Sequence, residues 1–333
     1  MVQLGKLTRR RFLNNNRNQS ATFWLATRVM TDWKPTVKAV AVGALSGTAI
    51  GLLAFFFLHS GQIQGMGTVL FLVVPVVAGF SVALVAGRPN TAAAATVLAV
   101  LGSLAFLVAT GTEGILCAIL ALPIIAAGLA IGALVGLLVR RILIERTSNP
   151  TINTGMLLLV GPLLIITGKR LEKPVLERAR TEVIVNSVEV HAPPEHVWLQ
   201  IQTVESVQTN KPLLMYIGLP IPQRCTMRGQ GVGARRTCYF NAGYIEETVT
   251  AWNPPSLMGL SIDRTHMPGR HWLGFLQAEY RLQGTGQMVT VLTRSTTVTS
   301  QLYPAWYWRP FERLGVESEH RYILQDVASK AGR

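Results

Sequence analysis

Apolar and polar positions follow two regimes along this chain, and the change falls near residue 180. Before it, four runs, 39–58, 67–86, 91–110 and 114–139, contain no Asp, Glu, Lys, Arg or His. Each is long enough as a helix to cross the roughly 30 Å of bilayer hydrocarbon at about 1.5 Å per residue. Each is also apolar all round, whereas a helix of a water-soluble protein keeps one polar face. The pattern therefore predicts an all-α membrane bundle of four spanning helices over 39–142, preceded by a basic segment, 1–38. A fifth apolar run at 156–168, MLLLVGPLLIITG, has 13 residues and contains Pro162. It is short for a span, and the expectation is a re-entrant or interfacial element inside a linker, 143–180.

From 181 to 333 the periodicity is that of an α+β domain. TEVIVNSVEV alternates like a half-buried strand, and HAPPEHVW turns it into an amphipathic helix with Glu195 in the first turn. Strand-like runs follow: ARRTCYF and YIEETVTAW around the turn Asn241 to Gly243, then SLMGLSID, WLGFLQAEYRL and MVTVLTRSTTV. The segment from Pro304 to about Ala331 reads as a long closing helix.

Charge sharpens the division. Residues 1–180 carry 17 Lys and Arg against 5 Asp and Glu, residues 181–333 carry 14 against 12, and the net charge of +14 belongs almost wholly to the membrane half. Lys and Arg crowd before the first run, Arg88 follows the second, and Arg140, Arg141 and Arg146 follow the fourth, whereas the other two connections carry none. That is the asymmetry of cytoplasmic and external loops, so the positive charge speaks of topology and lipid headgroups rather than nucleic acid. With 156–168 not crossing, the C-terminal domain is expected on the cytoplasmic face of a bacterial cytoplasmic membrane.

Glycines recur at i, i+4 and i+8 as Gly43, Gly47 and Gly51 in the first run and Gly128, Gly132 and Gly136 in the fourth. Such stripes let helix backbones approach closely. They suit a homo-oligomer, or packing of the first helix on the fourth within one bundle. The spans contain no ionisable relay, which argues against transport by the bundle alone.

Site chemistry is sparse. Cys117, Cys225 and Cys238 have no metal-ligand spacing; the latter two could meet across strands, with free thiols the favoured reading. The histidines are scattered, so neither a metal nor a cofactor is expected, and His196 or His320 could act as a base only from a cavity wall. GQGVG at 229–233 precedes a strand rather than a helix, which makes it a turn and not a phosphate cradle. On ARRTCYF, Arg236, Cys238 and Phe240 share one face. If that face is inward, Arg236 meets Glu247 of the next strand and can orient a polar ligand group; otherwise the two form an exposed cross-strand pair. The aromatics at 303–311, YPAWYWRPF, suit an interfacial belt, a cavity gate or ordinary packing.

The words VEVHAPPEHVW at 188–198, GVGARR at 231–236, Glu246 and Glu247 followed by WNPP at 252–255, and HRYIL at 320–324 resemble the START-like (SRPBCC) superfamily of polyketide cyclases, pathogenesis-related proteins and lipid-transfer domains. The resemblance covers residues 183–330. It implies a helix-grip fold, an antiparallel sheet wrapped around a long C-terminal helix with an apolar cavity between. Trp198, Arg236, Cys238, Phe240 and Glu247 are the cavity candidates. The expected function is membrane-anchored binding, or transfer, of a lipid or other hydrophobic small molecule. The alternatives are a cyclase-like enzyme, with Arg236 or His196 moving protons, and a membrane subunit that docks another protein.

Overall fold

The computed structural model describes residues 33–59, 66–86, 88–111, 113–144, 150–267, 273–286 and 288–332. Most of the basic segment 1–38, Arg146 and His271 lie outside the described residues. The N-terminal half is a bundle of helices: α1 (Trp33–His59), α2 (Val74–Ala86) entered through a π-helical turn (Val69–Val73), α3 (Pro89–Ala109), α4 (Ile115–Val139) leaving through a second π-helical turn (Arg140–Ile144), and α5 (Pro150–Leu176).

Three helices are long and apolar enough to cross a membrane: Thr36–Leu58, Pro89–Ala109 and Ile115–Ile142. The run expected as a fourth span, 67–86, is a shorter apolar helix, Val69–Val85. Its start is pinned from outside. Met66 forms a parallel bridge with Leu302 of the C-terminal domain, and the Glu172 carboxylate accepts the N–H groups of Thr68 and, at 3.1 Å, Val69. A carboxylate satisfies the orphan N–H groups of a helix start and complements the positive end of its dipole.

Both glycine stripes are consumed inside the bundle, though not against each other. A Cβ at Gly132 would lie 2.0 Å from the Val76 carbonyl oxygen, and one at Gly128 would lie 2.9 Å from Pro75 Cβ, so α4 sits backbone to backbone on α2. Gly47 meets Val82 and Ala99 in the same way, and Gly51 faces Ser103, which seats α1 on α2 and α3. Gly43 and Gly136 are buried too.

The run 156–168, expected as a re-entrant or interfacial element, is the middle of the unbroken helix α5. Numbers rise along α5 as they fall along α2: a Cβ at Gly161 would meet Val77, one at Gly168 would meet Val69, and Glu172 caps Thr68. The helix therefore runs antiparallel to α2 through the whole bundle. Its uncharged part, 150–168, is about 28 Å long at the α-helical rise. Cations cap helix C-termini at opposite ends: Arg140 Nη1 donates to the Leu84 carbonyl at one, Lys169 Nζ to the Phe57 carbonyl at the other. The C-terminal domain stands at the Lys169 end, beside the connections that follow α1 and α3, and Arg88, Arg140 and Arg141 mark the opposite end.

The domain begins with β1 (Arg180–Val190), then α6 (Pro194–Gln202) and α7 (Leu213–Tyr216), then strands β2 (Pro222–Arg228), β3 (Arg235–Phe240), β4 (Gly243–Asn253), β5 (Leu257–His266), β6 (Leu273–Gly286) and β7 (Val289–Ser300), and closes on α8 (Ala305–Ala331). The sheet is antiparallel throughout, in the order β1-β7-β6-β5-β4-β3-β2. Consecutive strands pair as hairpins, and β1 returns to pair with β7. The sheet curls around α8 in a helix-grip arrangement. Alternate residues such as Met258, Leu260 and Leu292 pack with Ile323, Leu324 and Val327 of the helix in one core. GQGVG is a turn between β2 and β3, its three glycines at positive φ with open space around Gly231 and Gly233.

Candidate functional site

Between the sheet and α8 lies a cavity of about 290 Å³. Its walls come from the inward face of the strands, from α8 and from the helix bundle through Glu113, Leu116, Cys117 and Leu120. The domain is fastened to the bundle beside that wall. Met66 N–H donates to the Gln301 carbonyl at 3.0 Å and Tyr303 N–H to the Met66 carbonyl at 2.8 Å, while the Tyr307 hydroxyl donates to the Leu120 carbonyl at 2.6 Å. Met66, Phe71, Ala121, Ile124, Leu302 and Trp308 form one apolar cluster across the junction, with the Phe71 and Trp308 rings 4.7 Å apart. The aromatic run at 303–311 thus divides its labour: Tyr307, Trp308 and Phe311 pack on the bundle, and Trp306 is exposed.

The cavity wall is apolar except for a cluster of charges. Arg236 on β3 faces Glu247 on β4 in register, Nη1 to Oε2 2.7 Å, with side chains 3% and 7% exposed. The pair thus lies on the inward face and is buried, rather than forming the exposed cross-strand pair of the other reading. Arg236 Nη2 also donates to the Ile201 carbonyl at 3.3 Å. Burial alone would lower the Arg236 pKa, but Glu247 and the Tyr280 ring, 5.9 Å away, hold it above its ordinary value. Arg294 on β7 repeats the arrangement, paired with Glu319 on α8 at 3.1 Å and 5.4 Å from the same ring, its pKa raised against burial by Glu319. Both guanidinium Nε groups are buried and make no hydrogen bond. Closer to the junction, Glu312 takes Arg180 at 2.9 Å and the Ser300 hydroxyl at 2.6 Å.

Of the sequence candidates, Arg236, Cys238, Phe240 and Glu247 line the cavity. Trp198 is not among its lining residues: it is buried in the core beside Trp252, ring centroids 5.0 Å apart. Cys225 and Cys238, directly opposed on β2 and β3, form a disulfide in place of the free thiols expected. Sequence reasoning missed Arg294, Tyr280 and Glu319. A signal for Arg294 exists, because it shares strand parity with the buried Leu292, Thr296 and Val298.

The histidines give acid–base chemistry little footing here. His196 is exposed on α6 and does not line the cavity. His320 is buried and bonded on both ring nitrogens, to Thr296 at 2.7 Å and Asn186 at 2.9 Å, and burial followed by the Arg294 charge pushes its pKa down to about 2. It is a neutral structural histidine. Among the described residues no group of His, Cys, Asp or Glu could hold a metal ion. The arrangement can grip a polar group against charged hydrogen-bond partners inside an apolar chamber.

No protein-family model matches the chain, and no curated protein does either. Solved structures align with under half of the chain. The Zhui aromatase/cyclase from Streptomyces sp. R1128 matches at 17% identity and a TM-score of 0.35, covering 46% of this chain and 95% of that one. A norcoclaurine synthase from Thalictrum flavum matches at 14% identity and a TM-score of 0.31, over 46% and 96%. The Aha1 dimer from Colwellia psychrerythraea matches at 16% and 0.30, over 46% and 98%.

Proposed function

We propose that this protein is a membrane-anchored carrier whose helix-grip domain binds a lipid or other hydrophobic small molecule. The observation that carries this reading is the cavity itself: an apolar chamber with a few charged groups to orient a ligand, one of its walls formed by the apolar helix bundle. Small-molecule sites have this composition. A cyclase-like reaction has weaker support, because His320 is neutral and fully bonded and the carboxylates of Glu247, Glu312 and Glu319 are engaged by arginines. Native mass spectrometry of the full chain released from lipid nanodiscs tests the reading. A single retained amphiphile is expected, and Gly315→Phe should reduce its occupancy at least about ten-fold, a loss of about 1.4 kcal/mol. Gly315 lines the cavity, and a Cβ there would touch only Leu219, at 3.8 Å. Bare wild-type protein, or occupancy indifferent to Gly315→Phe, would overturn binding in this cavity.

The domain lies on the face opposite Lys38, Arg88, Arg140 and Arg141, external to the cytoplasm. Three observations favour this side over the cytoplasmic one expected from a non-crossing 156–168. Helix α5 runs the length of the bundle, the domain-side connection Gly111 to Glu113 has no Lys or Arg, and the Cys225–Cys238 disulfide suits an oxidising compartment. Reporter fusions after Arg333 check it in a bacterial host. Alkaline phosphatase, which needs disulfides, should be active and green fluorescent protein dark; the reverse pattern would return the domain to the cytoplasm.

A further inference from the structure

A second cavity, about 120 Å³, lies inside the helix bundle, walled by α1, α2, α3 and α4. Its lining is almost wholly carbon: Gly51, Phe55, Leu70, Ala99, Leu104 and Ala118 are typical. Four residues belong to both cavities, Glu113, Cys117, Leu302 and Trp308, so a single layer of side chains separates the two spaces. The layer is where domain and bundle are fastened, through Met66 to Gln301 and Tyr303, and through Tyr307 to Leu120.

Polarity is graded along this line. The charges of the helix-grip cavity, Arg236 with Glu247 and Arg294 with Glu319, lie on the domain side. In the bundle crevice Glu113, at the junction, is the one carboxylate among the lining residues, and no Lys, Arg or His lines it. Burial raises the Glu113 pKa to about 7, which makes the uncharged carboxylic acid readily available beside the passage. The gradient runs in the same sense as that of a bilayer leaflet, polar outside and hydrocarbon within.

We propose that the two cavities are the halves of one binding site for a single amphiphile, its head on the Arg236 and Arg294 cluster and its hydrocarbon chain passing Trp308 into the bundle crevice. The proposal rests on the carrier reading above and extends it to the membrane half. Each arginine is already matched by a carboxylate, so the cluster is electrically neutral as a whole. An anionic head would have to displace a carboxylate, whereas a zwitterionic or uncharged hydrogen-bonding head need not. The ligand class is therefore a chain-bearing lipid with no net charge. Such a molecule is held half withdrawn from the bilayer, chain still at membrane depth.

The test uses the full chain in detergent, titrated with lysophosphatidylcholines of increasing chain length below their micelle concentrations. In the wild type, affinity should rise by up to about four-fold per added methylene, and keep rising after the chain has outgrown the helix-grip cavity. Ala118→Trp, which fills the crevice alone, should flatten that rise for long chains and leave short-chain affinity unchanged. An unaltered long-chain series in Ala118→Trp would overturn the two-part site while leaving the carrier reading standing. Failure of every chain length to bind the wild type would overturn both. Should the tryptophan variant not fold, alkylation of Cys117 in the wild type distinguishes the same two outcomes. Long-chain ligand should slow a membrane-permeant maleimide at least ten-fold and short-chain ligand should not, whereas equal protection by both, or by neither, counts against the proposal.

Discussion

The bundle and the helix-grip domain are held together by opposite means. In the bundle, contact is made by what is missing: Gly128, Gly132, Gly47 and Gly51 bring backbones so close that an added Cβ would strike a neighbouring backbone or side chain. Apolar helix faces without large side chains between them associate through close van der Waals fit, as helices do in lipid. In the domain, contact is made by bulk. Met258, Leu260, Leu292 and Tyr322 are all but fully buried, and the gain comes from removing large side chains from water. The domain also buries charges, Arg236 with Glu247, and a polar ring, His320 between Thr296 and Asn186, whereas the four long apolar runs of the bundle contain no Asp, Glu, Lys, Arg or His. The lesson is that small residues decide helix packing in the apolar bundle, and matched polar partners decide what the helix-grip domain can tolerate inside.

That contrast can be broken at one residue of each kind. Gly132→Leu should have the largest effect, because its Cβ would sit 2.0 Å from the Val76 carbonyl oxygen, which belongs to a backbone that cannot step aside. A loss above about 4 kcal/mol is expected, beyond the usual range for single substitutions, read as loss of monodisperse protein in detergent and early thermal unfolding. Next comes Arg236→Met, which strands the Glu247 carboxylate in the cavity wall. It should destabilise the domain by about 3 kcal/mol in chemical denaturation, and Arg236→Met with Glu247→Leu should recover most of that, since a buried pair is worth far less than the penalty of breaking it.

A smaller effect sharpens the same point through pH. His320 stays neutral in the fold down to about pH 2 but takes up a proton near its ordinary pKa when unfolded. The unfolded state therefore binds more protons below that value, so the histidine's contribution to stability is present above about pH 6.5 and falls by up to about 1.4 kcal/mol per unit as the medium is acidified. His320→Gln should flatten that slope in melting curves taken between pH 7 and pH 5. An unchanged slope would mean that the histidine is not the proton-linked group.

Much of this architecture is written in the chain. Runs of twenty apolar residues have few alternatives to membrane helices, and three of those expected are long enough to cross. Strand alternation in TEVIVNSVEV and ARRTCYF, the turn at Asn241 to Gly243 and the closing helix fix the order of the helix-grip elements. The alternation on β3 is legible in the sequence, although which of its two faces is inward is not.

Tertiary structure decided the rest, because the deciding groups come from distant elements. Helix α5 crosses the bundle although its apolar core is short, since Gly161 and Gly168 seat it on α2 and Glu172 finds the N–H groups of Thr68 and Val69. The Cys225–Cys238 link follows from strand register, which spacing alone does not give. The second arginine pair joins β7 to α8, so its partner is invisible until the helix is laid into the sheet. The junction between the cavities exists only where Trp308 and Leu302 meet Glu113 and Cys117, and no local pattern encodes that meeting. Local sequence determined which segments are helix, strand and turn; the docking of the domain on the bundle determined which side chains share a cavity.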